Sequence, residues 1–280
     1  STENDGGLGY GWIVDDLAVV TVSVIGSVPP FSDSFEAGIG DWSVDQGVWE
    51  IGPTTAGPGA CYSGTQCAAT MLDGTYPAVA NSRLISAPLE LPTVSGSDEL
   101  RLRFWQWFSY QAVHDNGLIQ ISLWDGVGGS WQPWQDIGGP VTASSGAWTR
   151  MDVDLTAYAG ERVRIGFYHT TNNDTGIGTG WYIDELTVVT VSVIGSAPPF
   201  SENFEGGFGD WSVDQGVWEI GTPTAGPGAC YNDSAQCAGT VLDGNYPGVA
   251  DSRLISAPIE LQAVSGSDEL RLRFWQWFSY

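Results

Sequence analysis

The residues best placed to do chemistry are acidic. In the run GWYIDEL from Gly180, strict alternation puts Tyr182, Asp184, Leu186 and Val188 on one strand face, opposite Trp181, Ile183, Glu185 and Thr187. Asp184 then stands among apolar neighbours, where an ionised carboxylate is costly unless a cation or several donors compensate it. The strand has no basic residue of its own. Calcium, which takes hard oxygen ligands in flexible geometry, is the expected partner. The segment DSFEAGIGDW offers a second carboxylate, Glu36, beside the aromatic Phe35. The competing reading has Asp184 hydrogen-bonded to backbone amides or to an arginine such as Arg164.

Two further sets of residues stand out. The four cysteines form local pairs, Cys61 with Cys67 and Cys230 with Cys237, each closing a short polar loop. That spacing predicts two disulfides, because no histidine lies at a metal-site spacing from a cysteine. In RLRFWQWFSY, Leu102, Phe104, Gln106, Phe108 and Tyr110 share one face, while Arg101, Arg103, Trp105 and Trp107 share the other. The second set is a possible aromatic platform for sugar rings, or a surface covered by other parts of the chain. HDNG at His114 to Gly117 reads as a turn, His169 as an edge-of-core residue, and Asp152 and Asp154 as a solvated strand face. Asn173 and Asn232 lie in N-x-S/T sequons. The chain has no HExxH, GxSxG or Walker-type loop, so no catalysis is expected.

These residues need a scaffold, and the sequence shows it by repeating. The stretch from Val20 to Tyr110 recurs from Val189 to Tyr280, with DWSVDQGVWEIG, SRLISAP and SGSDELRLRFWQWFSY unchanged. A period of about 170 residues is a whole domain rather than a solenoid turn. Residues 1–26 are read as the closing strand of a preceding repeat, 27–196 as one complete repeat, and 197–280 as the first half of the next. Each join carries a Pro-Pro pair that stiffens the connection. Alternating patterns predict strands near 44–51, 82–90, 100–110, 117–124, 148–155, 161–169 and 181–193, with Val163, Ile165 and Phe167 facing away from Arg162, Arg164 and Tyr168. This is an all-β, antiparallel two-sheet sandwich, or jelly roll.

The formal net charge is -24, with nine arginines and no lysine, which argues against a nucleic-acid partner and for an ion-rich extracellular setting. Hydrophobic residues at 42% are enough for a large core.

Taken together, FEAGIGDW, GPGACYSGTQC, SRLISAP, LRLRFWQWFSY, DVDLTAYAGERVRIGFY and GWYIDEL resemble the MAM-like jelly-roll domains of secreted bacterial proteins, including immune inhibitor A-type metalloproteases. The resemblance covers residues 31–190. It implies a structural calcium between the opening Phe-Glu and the closing-strand aspartate. That assigns Glu36 with Asp184 in the complete repeat, Glu205 in the following one and Asp15 in the preceding one. The sequence thus points to a secreted or cell-surface, non-catalytic structural or adhesive array, a calcium-stabilised fibre or stalk whose partners are other copies of the repeat. The alternative is a carbohydrate-binding or accessory jelly-roll module of a secreted hydrolase, with glycans as partners.

Overall fold

The computed structural model describes residues 31–280 except 97, 112–113, 173–176, 192–200, 215, 249, 262, 264–269, 271, 273 and 280. Asp15, Asn173, the tail 1–26 and the two Pro-Pro joins lie outside or almost wholly outside the described residues.

Among the described residues the complete unit has thirteen strands: β1 (Phe31–Asp33), β2 (Ser43–Asp45), β3 (Glu50–Gly52), β4 (Cys67–Ala69), β5 (Asn81–Ile85), β6 (Leu89–Glu90), β7 (Glu99–Ser109), β8 (Asn116–Asp125), β9 (Ser130–Trp131), β10 (Gln135–Asp136), β11 (Thr149–Asp154), β12 (Arg162–Thr170) and β13 (Gly180–Val191). They form two antiparallel sheets. The first runs β11-β7-β13-β4-β3, with β1 also paired to β13; the second runs β10-β8-β12-β5-β2, with β6 on β12 and β9 on β8. Between the sheets lie Leu102, Phe104 and Phe108 of β7, Trp181 and Ile183 of β13, Ile119 and Ile121 of β8, Val163, Ile165 and Phe167 of β12, and Leu84 of β5. An aromatic chain threads this core, from Phe35 to Trp42, Phe167 and Trp181 at centroid separations of 5.5, 6.3 and 5.5 Å. The buried polar Gln106 is accommodated because Trp181 Nε1 donates to its Oε1 at 3.0 Å.

Two expected strands prove to be pairs. The stretch 44–51 divides at Gln46, whose φ of 49° turns the chain so that β2 joins the second sheet and β3 the first. The stretch 82–90 breaks before Pro88, which has no amide to give a ladder, and resumes as β6 on the same partner, β12.

The alternation read through GWYIDEL also fails at one point. The register of β13 against β7 shifts between Asp184 and Thr187, where Glu185 takes a φ of 48°. This bulge re-phases the strand, so that Trp181 and Ile183 face the core before it and Leu186 and Val188 after it. Asp184, paired opposite Trp105, therefore lies on the outer face of the first sheet and not on its inward side.

The second unit begins the same plan with β14 (Ser212–Asp214) on β17 (Arg253–Ile255) and β15 (Glu219–Gly221) on β16 (Cys237–Gly239). Among the described residues no helix is long and apolar enough to cross a membrane.

Trp181 is fully buried and supports both the aromatic chain and Gln106. Trp181→Ala should lower the unfolding free energy by about 3–5 kcal/mol, read by urea denaturation; a loss of under about 1 kcal/mol would mean that the core does not depend on it.

Candidate functional site: a carboxylate clasp and an aromatic face

The outer face of the first sheet is closed by its own loop. Residues 53–66 lie over β7 and β13, and the loop end is tied by the Cys61–Cys67 disulfide; the second unit repeats the tie as Cys230–Cys237. Tyr62 stacks on Trp105 with centroids 3.8 Å apart, and Trp107 meets Tyr182 edge to face at 5.4 Å. Arg103 is held by Asp152 through Nε and Nη2, and Arg101 binds Glu99. The face of Trp105, Trp107, Arg101 and Arg103, read as a possible sugar platform, is thus half-buried and committed to contacts within the chain. Asp152 is likewise an ion-pair partner rather than a freely solvated residue.

Glu36 and Asp184 are brought to the same loop from opposite sides. Glu36 Oε1 accepts the Thr65 and Gln66 amides at 2.7 and 2.8 Å, its Oε2 accepts Thr65 Oγ1 at 2.9 Å, and Gln66 Nε2 returns a bond to the Glu36 carbonyl. Asp184, with no exposed surface, accepts the Ser63 amide on Oδ2 at 3.0 Å and the Glu185 amide on Oδ1 at 2.7 Å. Ser63 Oγ donates to Glu185. Gly64 makes this possible: its φ is +57°, and a Cβ there would overlap the Glu36 carboxylate. Glu205 repeats the arrangement, accepting the Gln236 amide at 3.1 Å.

Every oxygen of the Glu36 and Asp184 carboxylates therefore accepts a protein N–H or O–H. Among the described residues no group of three or more His, Cys, Asp or Glu is placed to hold a metal ion. The amide-bonded alternative describes Asp184; Arg164 plays no part in it, lying instead against Trp131 and Trp134.

The two carboxylates titrate in opposite directions. Burial, reinforced by the neighbouring charges of Glu185 and Glu36, pushes Asp184 from 3.8 up to about 6, against the pull of its two amides. The amides of Gln66 and Thr65 hold Glu36 below its ordinary 4.5.

The second sheet carries an open polar and aromatic face that sequence reading did not single out. The Arg83 guanidinium lies 4.8 Å from the centroid of Trp134 and 4.6 Å from that of Tyr168, and Arg164 lies 4.2 Å from that of Trp131. Gly166, on β12, leaves room for both, since a Cβ there would stand 2.6 Å from Arg83 Cδ and 3.0 Å from Trp134 Cζ3. Arg83 also donates to Gln120 Oε1 and Asp45 Oδ2 at 2.8 and 2.7 Å, and Gln120 donates to Asp136 at 2.7 Å. Trp131, Trp134 and Tyr168 remain half-exposed, with Gln132, Pro133, Gln135 and Asp136 exposed around them. The signal was the spacing of Trp131 and Trp134 beside the outward set Arg164 and Tyr168.

His169 is buried and bonded through Nδ1 to the Tyr110 hydroxyl at 2.9 Å, and burial lowers its pKa to about 4. Asp115, within HDNG, is buried and accepts the Tyr76 hydroxyl at 2.8 Å and the Asn172 amide at 3.0 Å, so this turn is anchored inward.

This architecture defines a class: an antiparallel β-sandwich whose first sheet is covered and whose second sheet presents an aromatic face. No protein-family model matches the chain. Over 191 residues the chain is 29% identical to bacillopeptidase F of Bacillus subtilis (strain 168), an alignment that takes in 65% of this chain and 13% of that protein. Among solved structures, the K1 cleaved adhesin domain of Lys-gingipain from Porphyromonas gingivalis W83 is 20% identical, over 58% of this chain and 98% of that one, with a TM-score of 0.37. The CBM22-1 xylan-binding domain of Paenibacillus barcinonensis Xyn10C is 16% identical, over 61% of this chain and 100% of that one, with a TM-score of 0.38.

The opposed titrations fix the pH response. Between about pH 4 and 6 the folded chain keeps a proton on Asp184 that the unfolded chain has released, so this group makes stability fall as pH rises through that window. Glu36 acts the other way, its contribution being lost as pH falls through its lowered pKa. Asp184→Asn should remove the decline between pH 4 and 6 in the thermal midpoint; an unaltered profile would assign that decline to another group.

Proposed function

We propose that the complete unit is a non-catalytic, extracellular accessory module that binds polysaccharide on the outer face of the second sheet. The observation that carries this reading is the half-exposed set Trp131, Trp134 and Tyr168, backed by Arg83 and Arg164. Aromatic rings with a fixed orientation pack against the C–H faces of pyranose rings at small cost in side-chain entropy. Arg83, Gln120 and Asp136 form a connected row of donors and acceptors suited to hydroxyl groups. The Arg83 charge is already met by Asp45, so an uncharged polysaccharide fits better than an anionic one.

An accessory role agrees with the likeness to a stretch that makes up only 13% of bacillopeptidase F. The two disulfides favour an oxidising, extracellular setting. The MAM-like kinship implied by the sequence motifs belongs to the same reading. Adhesion by an array of such modules would follow from many weak sites acting together.

In affinity electrophoresis the chain should be retarded by a neutral polysaccharide such as xylan, and Trp134→Ala should abolish the retardation while Trp105→Ala keeps it. No retardation across a panel of neutral polysaccharides, or equal loss in both variants, would remove the reading.

Calcium at Glu36, Asp184 and Glu205 is a separate proposal, and the protein donors at these carboxylates weigh against it. That donor geometry predicts a melting midpoint unchanged by EDTA; a fall of many degrees would instead establish a structural ion.

A further inference from the structure

The chain contains its own comparison. SVDQGV occurs at residues 43–48 and again at 212–217 with no difference in sequence. In the complete unit Ser43 and Gly47 are exposed, and Val44 and Val48 are half-buried. In the second unit Ser212, Val213 and Val217 are 4%, 1% and 4% exposed, and Gly216 is buried as well. Identical residues in the same local strand differ only through what lies against them.

What lies against the second copy is β11, the edge strand of the first sheet of the complete unit. Gly216 sits against Thr149 so closely that a Cβ would overlap the threonine side chain. The Arg150 guanidinium donates to the Gly209 carbonyl at 2.9 Å and to the Trp211 carbonyl, and lies 5.1 Å from the Phe208 ring. Trp105 meets Phe208 edge to face at 5.7 Å, and Asp210 stands 3.7 Å from Arg103, which Asp152 already holds in place. The contact thus combines an aromatic anchor, a half-buried arginine on two carbonyls, and the cover of an open sheet edge that is otherwise a liability for uncontrolled pairing.

We propose that β11 together with Arg103 and Trp105 is a docking surface for the opening loop and first strand of the following repeat in the same chain, so that successive repeats meet through one fixed interface. The counterpart strip of the complete unit, Ile39, Asp41, Ser43 and Val48, is the same docking element, while Val44 packs on the core of its own unit. It has no counterpart of β11 against it among the described residues, and Ile39 is 47% exposed. An edge strand of a preceding repeat is the occupant its chemistry fits. The receiving side of this interface is the edge of the first sheet, and the docking element β2 is the edge strand of the second sheet, paired to β5.

Hydrogen exchange on the 280-residue chain tests it, with peptides covering 36–50 and 205–219, which Ile39 and Phe208 distinguish by mass. The amides of 212–217 should exchange at least ~10-fold more slowly than those of 43–48. Arg150→Glu and, on the other side of the contact, Phe208→Asp should each bring the second strip to the rate of the first while leaving 36–50 unchanged, which also shows that the complete unit remains folded. Equal or faster exchange of the second strip in the unaltered chain would overturn the proposal, as would protection that survives both variants. Protection that disappears on tenfold dilution would place the contact between separate chains and overturn it in its intramolecular form.

Discussion

The first sheet buries one apolar face in the sandwich core and carries aromatic and charged side chains on the other, and the rest of the structure follows from how that outer face is covered. β13 is the strand on which this turns. One bulge, at Asp184 and Glu185, lets Trp181, Ile183, Leu186 and Val188 all serve the core while leaving Tyr182 and Asp184 outside. A regular strand would have sent one half of that set to the wrong side. The residues left outside then require a lid, and the loop 53–66 supplies it. A disulfide holds its end, Tyr62 lies on Trp105, and two carboxylates, one from the turn after β1 and one from β13, receive its amides.

That arrangement places its strain at the two acid positions. Phe35, just before Glu36, has a φ of 58°, and Glu185, just after Asp184, a φ of 48°; Phe204 repeats the first at 60°. Left-handed backbone at residues other than glycine persists only where the surroundings enforce it. Here the surroundings are the clasp itself, since Asp33 accepts the Phe35 amide at 2.8 Å and Asp184 accepts the Glu185 amide at 2.7 Å. The short acidic side chains thus hold the turns that aim them, and local geometry and loop closure are one network.

Most of the scaffold was legible in the sequence, because alternation is a direct consequence of strand geometry: β7, β8, β11, β12 and β13 lie within a residue or two of the expected positions. The pairing of the cysteines was equally plain from their spacing. The inward placement of Asp184 was not correct, since a bulge is a single left-handed residue that leaves no mark in a hydrophobic pattern. The covered state of Trp105 was open in the sequence because its lid comes from residues some forty positions earlier. Trp131 and Trp134 were passed over for a different reason. They sit around Pro133 at the short strands β9 and β10, where no alternation is long enough to assign a face.

The clasp also bears on the order in which the chain takes shape. Glu36, Thr65, Gln66 and the Cys61–Cys67 bond are all drawn from the first quarter of the repeat, as Glu205, Gln236 and the Cys230–Cys237 bond are in the next. Among the described residues of the second unit this corner carries two small ladders. A chain threaded outward from its leading end could therefore knot each corner as it emerges, and only later lay the long strands against it. Repeats this alike in sequence invite a strand of one to take its twin's place in another; early local closure ties each unit to its own beginning before that exchange has time to occur.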